Sequence, residues 1–293
     1  MKKISFGKII INIVLMLMAI SCIVPLLMMI VNSFTSESYI AKYGYSLLPS
    51  EWSTAAYRQI FANPRKILQA YKITAAYSVL NTVLAVLVQS LMAYPLSRRD
   101  YKYKKPVTMI LFVTMLFSGG LVPSYILNTQ YLHLGNSFWI YIFPSLVSAF
   151  TVFVFRTFFQ GLPDGLVEAA KIDGAGEFRI FFTIILPLST PVLATMGFLN
   201  LQAQWNDWNT TLLYNTRKSD LYSLQYLLQR ILRDVEFIKK SVSEGSSLFN
   251  ASDVPSESLR YAMAIVAAGP MLVIFPFFQK YFSKGLTVGS VKG

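Results

Sequence analysis

Residues 168–191 read EAAKIDGAGEFRIFFTIILPLSTP, a polar, small-residue opening that runs into an apolar stretch punctuated by proline. The second half begins a longer block, Ile180–Leu201, of predominantly apolar residues. At roughly 1.5 Å of rise per residue, about 20 such residues cross a hydrocarbon core of about 30 Å as a helix. Five other blocks share this character: Ile9–Val31, Ile73–Leu96, Val107–Leu127, Phe138–Phe159 and Tyr261–Phe282. The pattern predicts an all-α integral membrane protein with six transmembrane helices, in which the polar opening interrupts the chain between helices four and five.

Composition agrees. Hydrophobic residues make up 54% of the 293 and charged residues only 14%, against about a quarter charged in soluble domains. Mean hydropathy is +0.49. Lys2, Lys3 and Lys8 ahead of the first block have the form of a signal peptide. The run is too long for an h-region, however, and VNSFTSES (31–38) beyond it lacks a small-x-small cleavage site, so an uncleaved first helix is expected. The single cysteine, Cys22, lies within that helix and excludes an intramolecular disulfide.

Orientation follows from the short basic stretches. Lys2, Lys3 and Lys8 precede the first helix, Arg98, Arg99, Lys102, Lys104 and Lys105 crowd the link after the second, and Lys280, Lys284 and Lys292 close the chain. With six crossings these fall on one face, which the positive-inside tendency makes cytoplasmic, together with both termini. The longer segments 32–72 and 202–260 then lie outside. The net charge of +12 is thus a signature of topology, and nucleic acid is not an expected partner.

The blocks hold almost no ionisable groups: Arg156 and Lys280 sit near cytoplasmic ends, where long side chains reach water. A charge at the bilayer centre costs about 2.5–3.5 kcal/mol on insertion scales and is retained for a task. The absence of Asp, Glu and His from the spans argues against a proton-coupled carrier. A sodium-coupled carrier, which can use backbone carbonyls, is disfavoured. The lone histidine, His133, reads as a solvated loop residue, and no metal-ligand or nucleophile motif is present. No G-x-x-x-x-G-K-[ST] phosphate loop occurs, so any energy for uphill transport must come from another chain.

LPDGLVEAAKIDGAG (162–176) has the marks of a short helix: Pro163 early, Asp164 in the first turn, and Gly174 where the chain must stop or turn. Leu166, Ala169, Ala170 and Ile172 give it an incomplete apolar face. It is too short to stand alone, so it is either an ordinary interfacial loop helix or a docking segment. Segment 219–240 reads as an amphipathic helix, with Ser219 or Asp220 as N-cap, that packs on its own protein, lies on lipid or serves as a platform for a partner. Gly119, Gly120 and Pro123 interrupt the third block, either as a packing kink or as irregular backbone lining a cavity beside Tyr125. Gln202, Gln204, Trp205, Asn206 and Trp208 cluster at the end of the fifth block. Amides and aromatic faces suit a neutral sugar, and tryptophan also suits a membrane interface.

The spacing of Glu168-Ala169-Ala170, Gly174, Ile184, Leu186 and Pro187 resembles the EAA loop of permeases in binding-protein-dependent ABC importers. Asp173-Gly174-Ala175 and Pro191 are similar to its carbohydrate-uptake (maltose-type) version, and FSGGLVPSYIL (117–127) resembles the complex-oligosaccharide subgroup. AYPLSR (93–98), WNDW (205–208) and QKYFSKGLTVGSVKG (279–293) resemble further parts of the same family, so the likeness spans most of the chain. The resemblance implies a multi-pass permease subunit of a bacterial cytoplasmic membrane, importing an oligosaccharide. A permease for another solute is the alternative, and a sodium-coupled secondary transporter a more distant one. It further implies a coupling loop at about 160–179 in the cytoplasm, with Glu168, Ala169, Ala170, Asp173 and Gly174 gripping an ATPase. Gln204, Trp205, Asn206, Trp208 and Tyr125 are the candidates for contact with substrate or binding protein. Implied partners are a second homologous permease, an ATPase dimer that binds the ATP and Mg, and an extracellular substrate-binding protein. No cofactor, metal or catalytic residue is expected in this chain.

Overall fold

The computed structural model describes residues 6–243 and 256–288. Lys2, Lys3, Lys292, segment 244–255 of the expected outer loop and the last residues of the C-terminal motif lie outside the described residues. The described residues are helical apart from turns and one isolated antiparallel bridge, Thr35 to Trp52. In chain order the α-helices are α1 (Phe6–Ser33), α2 (Glu37–Tyr43), α3 (Ala55–Ile60), α4 (Pro64–Ser97), α5 (Lys104–Leu116), α6 (Leu121–Ile126) and α7 (Ala149–Gln160). They continue with α8 (Asp164–Ile172), α9 (Glu177–Ile180), α10 (Leu186–Leu188), α11 (Thr190–Trp205), α12 (Asn209–Tyr214), α13 (Leu224–Ser243) and α14 (Glu257–Val288).

Three helices, within α1, α4 and α14, are long and apolar enough to cross a membrane unbroken. Three further candidates are bent pairs: Lys104–Leu116 with Leu121–Tyr131 at 112°, Phe138–Ser145 with Ala149–Gln160 at 52°, and Glu177–Leu188 with Thr190–Trp205 at 79°. Where the sequence suggests single helices over 107–127, 138–159 and 180–201, the chain therefore turns, and the breaks have local causes. Between α5 and α6 the turn is made at Gly120, whose φ of +83° suits glycine. Pro144 sits within short 3₁₀ turns before α7. Between α10 and α11, Pro191 lies in the first turn of the new helix, where its missing N–H costs nothing.

The chain falls into two compact units. One is drawn from residues 1–67 and 227–270. There α1 turns most of its large apolar side chains outward, with those from Ile9 to Leu27 other than Val24 43–67% exposed, a display that only lipid or another apolar surface can cover. Below α1, Ser36 caps α2 by accepting from the Tyr39 N–H at 3.2 Å and donates to Glu51 Oε2 at 2.8 Å. Glu37, only 7% exposed, accepts from the N–H groups of Glu257 and Ser258 and from the Ser256 and Ser258 hydroxyls at the start of α14.

The other unit comprises residues 68–226 and 271–293. Its core gathers Ala93, Tyr94, Leu111, Phe155, Ile180 and Phe181 with Val167 and Ala170 of α8. A second, polar layer holds the broken stretch before α7. Asn81 Nδ2 reaches the carbonyls of Tyr141 and Ile142 at 3.2 and 3.1 Å and Ser145 Oγ at 2.8 Å, while Gln89 Nε2 donates to Leu146 O at 2.9 Å. Asn200 of α11 donates to Asn81 Oδ1 at 2.9 Å, and Tyr77 stacks on Tyr141 with centroids 4.2 Å apart. Carbonyls freed by a helix break must be satisfied by protein when lipid is the solvent. Arg156 is likewise occupied, donating to Thr108 at 3.1 Å.

Candidate functional site

The polar interruption folds as the nine-residue helix α8. Pro163 precedes it in an extended conformation, φ −60° and ψ 122°. Helical spacing divides its residues sharply. Val167 and Ala170 face the core, 2% and 9% exposed, whereas Leu166 and Ile172 stand out at 43% and 86%. Glu168, Ala169, Asp173 and Gly174 are also exposed. The two alanines therefore do different things: Ala170 packs inward on α8's own protein, and only Ala169 belongs to the free face. Neither Glu168 nor Asp173 makes a side-chain hydrogen bond or ion pair among the described residues.

The end of α8 explains its glycine. Gly174 has φ +78°. Its N–H donates to Lys171 O at 3.0 Å, and the next N–H, of Ala175, returns to Ala170 O at 2.9 Å. This pairing is the Schellman motif, with glycine in the left-handed position after the helix. Ala175 packs against the same core as Ala170, closing the hydrophobic contact that accompanies such a cap.

Charges tie α8 to its neighbours. At its start Asp164 lies 3.8 Å from both Arg98 and Arg99. In its last turn Lys171 meets Glu177 at 2.8 Å and Asp100 at 3.5 Å. The hydrogen bond to Glu177 raises the Lys171 pKa above its ordinary value. A backbone hydrogen bond, then Lys171 and Arg98, hold the Asp100 carboxyl below the usual carboxylate range. Both groups are therefore ionised throughout the neutral range. Glu177 also accepts from the Tyr94 hydroxyl at 2.6 Å. Local sequence pattern cannot reveal these partners, because Tyr94 and Glu177 are separated by two whole apolar blocks. The only hint was the motif AYPLSR (93–98), which contains both Tyr94 and Arg98.

The cluster at the end of α11 is only partly a surface. Trp205 is 4% exposed and tilted against Tyr71, with centroids 6.3 Å apart. Gln204, 9% exposed, donates to Ser145 Oγ at 3.0 Å and accepts from the Tyr77 hydroxyl through its carbonyl at 3.1 Å. Asn206 and Trp208 are exposed, the latter by 42%. Asn206 accepts from Gln225 at 3.1 Å, and Tyr125, 40% exposed, stacks on Tyr214 at 5.6 Å. The amphipathic helix expected from Ser219 or Asp220 begins later. Ser219–Leu221 form a 3₁₀ turn, and Ser223 Oγ accepts from the Tyr226 N–H at 3.3 Å, capping α13.

Known proteins supply an independent test of what such a chain is. Residues 1–288 match the family described as the binding-protein-dependent transport system inner membrane component. The chain is 36% identical over 279 residues to the polygalacturonan/rhamnogalacturonan transport system permease protein YtcP of Bacillus subtilis, covering 95% of this chain and 96% of that one. It is 30% identical over 281 residues to the arabinooligosaccharides transport system permease protein AraQ of Halalkalibacterium halodurans, covering 94% and 93%. A crystal structure of a bacterial ABC transporter involved in the import of the acidic polysaccharide alginate has a chain of the same fold, with a TM-score of 0.76 at 24% identity over 96% of this chain and 100% of that one. The chain therefore belongs to the family of binding-protein-dependent transport system inner membrane components, as a multi-pass permease subunit.

Proposed function

We propose that this permease imports oligosaccharides as one transmembrane half of an ATP-driven transporter in a bacterial cytoplasmic membrane, with α8 as the helix that engages the ATPase. The observation that carries the reading is the division of α8. One face is locked into the core, while Leu166, Ala169 and Ile172 form an outward stripe flanked by the unpaired Glu168 and Asp173. Apolar side chains exposed together along one face, as Leu166, Ala169 and Ile172 are, form the kind of patch that marks an interaction site. ATP and Mg are bound by that partner, and a second permease and an extracellular binding protein complete the assembly. The substrate class rests on the relatives, whose names specify polygalacturonan/rhamnogalacturonan and arabinooligosaccharides.

Co-purification tests the reading directly. The tagged chain should bring down a second permease and an ATPase. The reconstituted complex should hydrolyse ATP faster when loaded binding protein is added, and transport across a panel of glycans should identify the substrate. Absence of an ATPase from the purified complex would overturn the assignment of α8. In the same complex, Asn206→Ala and Trp208→Ala should lower uptake with assembly unchanged, because among Gln204, Trp205, Asn206 and Trp208 these two are the exposed ones. Gln204 and Trp205 act behind them by fixing the end of α11. Tyr125 joins the contact surface from beyond the α5–α6 turn. Normal uptake by both variants would return Asn206 and Trp208 to the role of membrane-interface residues.

In this reading the whole chain, 1–293, is one permease domain with six crossings, both termini and the 160–179 loop inside, and segments 32–72 and 202–260 outside. Single cysteines at the exposed positions Lys102 and Lys218, in a Cys22→Ala background, should be labelled from opposite sides by an impermeant thiol reagent. Labelling of both from one side would break the six-crossing topology.

A further inference from the structure

We propose that Tyr94 and Glu177 form a latch through which movement of α8 is passed to the long helix α4. This rests on the reading of α8 as the ATPase-engaging helix and assigns a role to the AYPLSR motif. A nine-residue helix with two buried side chains has little of its own to fix its orientation. Its orientation depends on what grips its ends, and both grips lead to the end of α4. Arg98 and Arg99 reach Asp164 at the start of α8, each at 3.8 Å. At the far end Lys171 meets Glu177 at 2.8 Å, and Glu177 in turn accepts from Tyr94 of α4 at 2.6 Å.

These links are unequal. Ion pairs in which at least one partner is half-exposed or more, as in each of these, contribute little, since water and salt screen them. The Tyr94–Glu177 bond is short and ends on a charged acceptor, the stronger kind of hydrogen bond. Its donor is also held rigidly: the Tyr94 ring is 6% exposed and packs against Phe181 with centroids 5.5 Å apart. Glu177 opens α9, just beyond the turn at Gly174 and Gly176. Without the bond, α8 is tied to α4 only by the packing of Val167 and Ala170 and by the screened ion pairs of Asp164. With it, displacing α8 pulls on the buried ring and so on α4, giving the contiguous physical connection that coupling between separated sites requires. A cavity of about 360 Å³ lies beside the bond, lined by Tyr94 and Glu177 together with Leu91, Pro95, Tyr101 and Phe178.

The latch is a positioning device, so its test must read coupling rather than stability. In proteoliposomes holding the full transporter, Tyr94→Phe, Glu177→Gln and the double variant are compared by substrate moved per ATP hydrolysed. Tyr94→Phe removes one hydroxyl and keeps the packed ring. Each single variant should lower the ratio on the order of fivefold or more, the lower end of typical coupling free energies. The double variant should be no worse than the weaker single variant, as expected of two members of one link. Unchanged ratios, or losses that multiply, would overturn the latch. If Tyr94→Phe fails to assemble, Glu177→Gln, on a half-exposed carboxylate, decides the matter alone. Failure of the parent complex to show stimulated ATP hydrolysis would instead sink the reading of α8, and the latch with it.

Discussion

Gly174→Val and Ala169→Trp are expected to insert into the membrane normally and to lose both transport and the stimulation of ATP hydrolysis by loaded binding protein. The two fail for different reasons. A β-carbon at Gly174 would meet nothing within 4 Å, so no clash is involved. The cost is conformational: at φ +78° a side chain costs about 1–2 kcal/mol, most for a β-branched one. Escaping that strain dissolves the two capping hydrogen bonds and lets α8 leave its bed. Gly174→Asn, a residue that visits left-handed backbone, should therefore retain most activity. Ala169 is exposed, so tryptophan there disturbs nothing within this chain. In the proposed reading of α8 as the ATPase-engaging helix, it adds bulk on that face and wedges the contact apart. Stimulation should fall by roughly 5- to 150-fold, the span of typical coupling free energies. Full stimulation in both variants would make α8 a mere connector.

Ala170→Trp is not an equivalent experiment, and the reason bears on what a sequence reveals. The small residues at 169 and 170 look interchangeable in a string, but a helix separates them by about 100°, and only the packed structure decides which one faces in. The apolar blocks were legible because runs of that length have few other uses, and the glycine turn was legible because so few residues tolerate its backbone. Direction was not. Hydrophobicity measures how much chain suits lipid and says nothing of the angle it takes, so Gly119-Gly120 and Pro191 marked the breaks without their bends of 112° and 79°. The cluster at the end of α11 misleads in a related way. Tryptophan and glutamine are typical of a wet interface, yet Trp205 and Gln204 spend their chemistry on Tyr71, Ser145 and Tyr77. The partners of α8 were hidden by distance along the chain.

Glu37→Ala should strongly destabilise the unit drawn from residues 1–67 and 227–270. Its sequence context, an acidic residue in the first turn of the short helix α2, suggests only a modest dipole contribution. The structure gives it a larger task, because the carboxylate turns to the start of a different helix. Oε1 accepts from Ser256 Oγ at 2.9 Å and from the Glu257 N–H at 3.0 Å. Oε2 accepts from the Ser258 N–H at 3.1 Å and Ser258 Oγ at 3.2 Å. The first N–H groups of α14 have no partners within their own helix, and here they are removed from water. Alanine would leave those donors buried and unpaired, a loss of about 3 kcal/mol given the usual strength of hydrogen bonds to charged groups. The melting temperature of the detergent-solubilised protein should fall on the order of 5–10 °C. Glu37→Gln keeps one acceptor oxygen but turns an NH₂ toward donors, so it should lie between the two. A wild-type melting temperature for Glu37→Ala would mean that water replaces the carboxylate at no cost. The start of α14 would then be held by Arg260, which pairs with both Glu236 and Glu257, and not from α2.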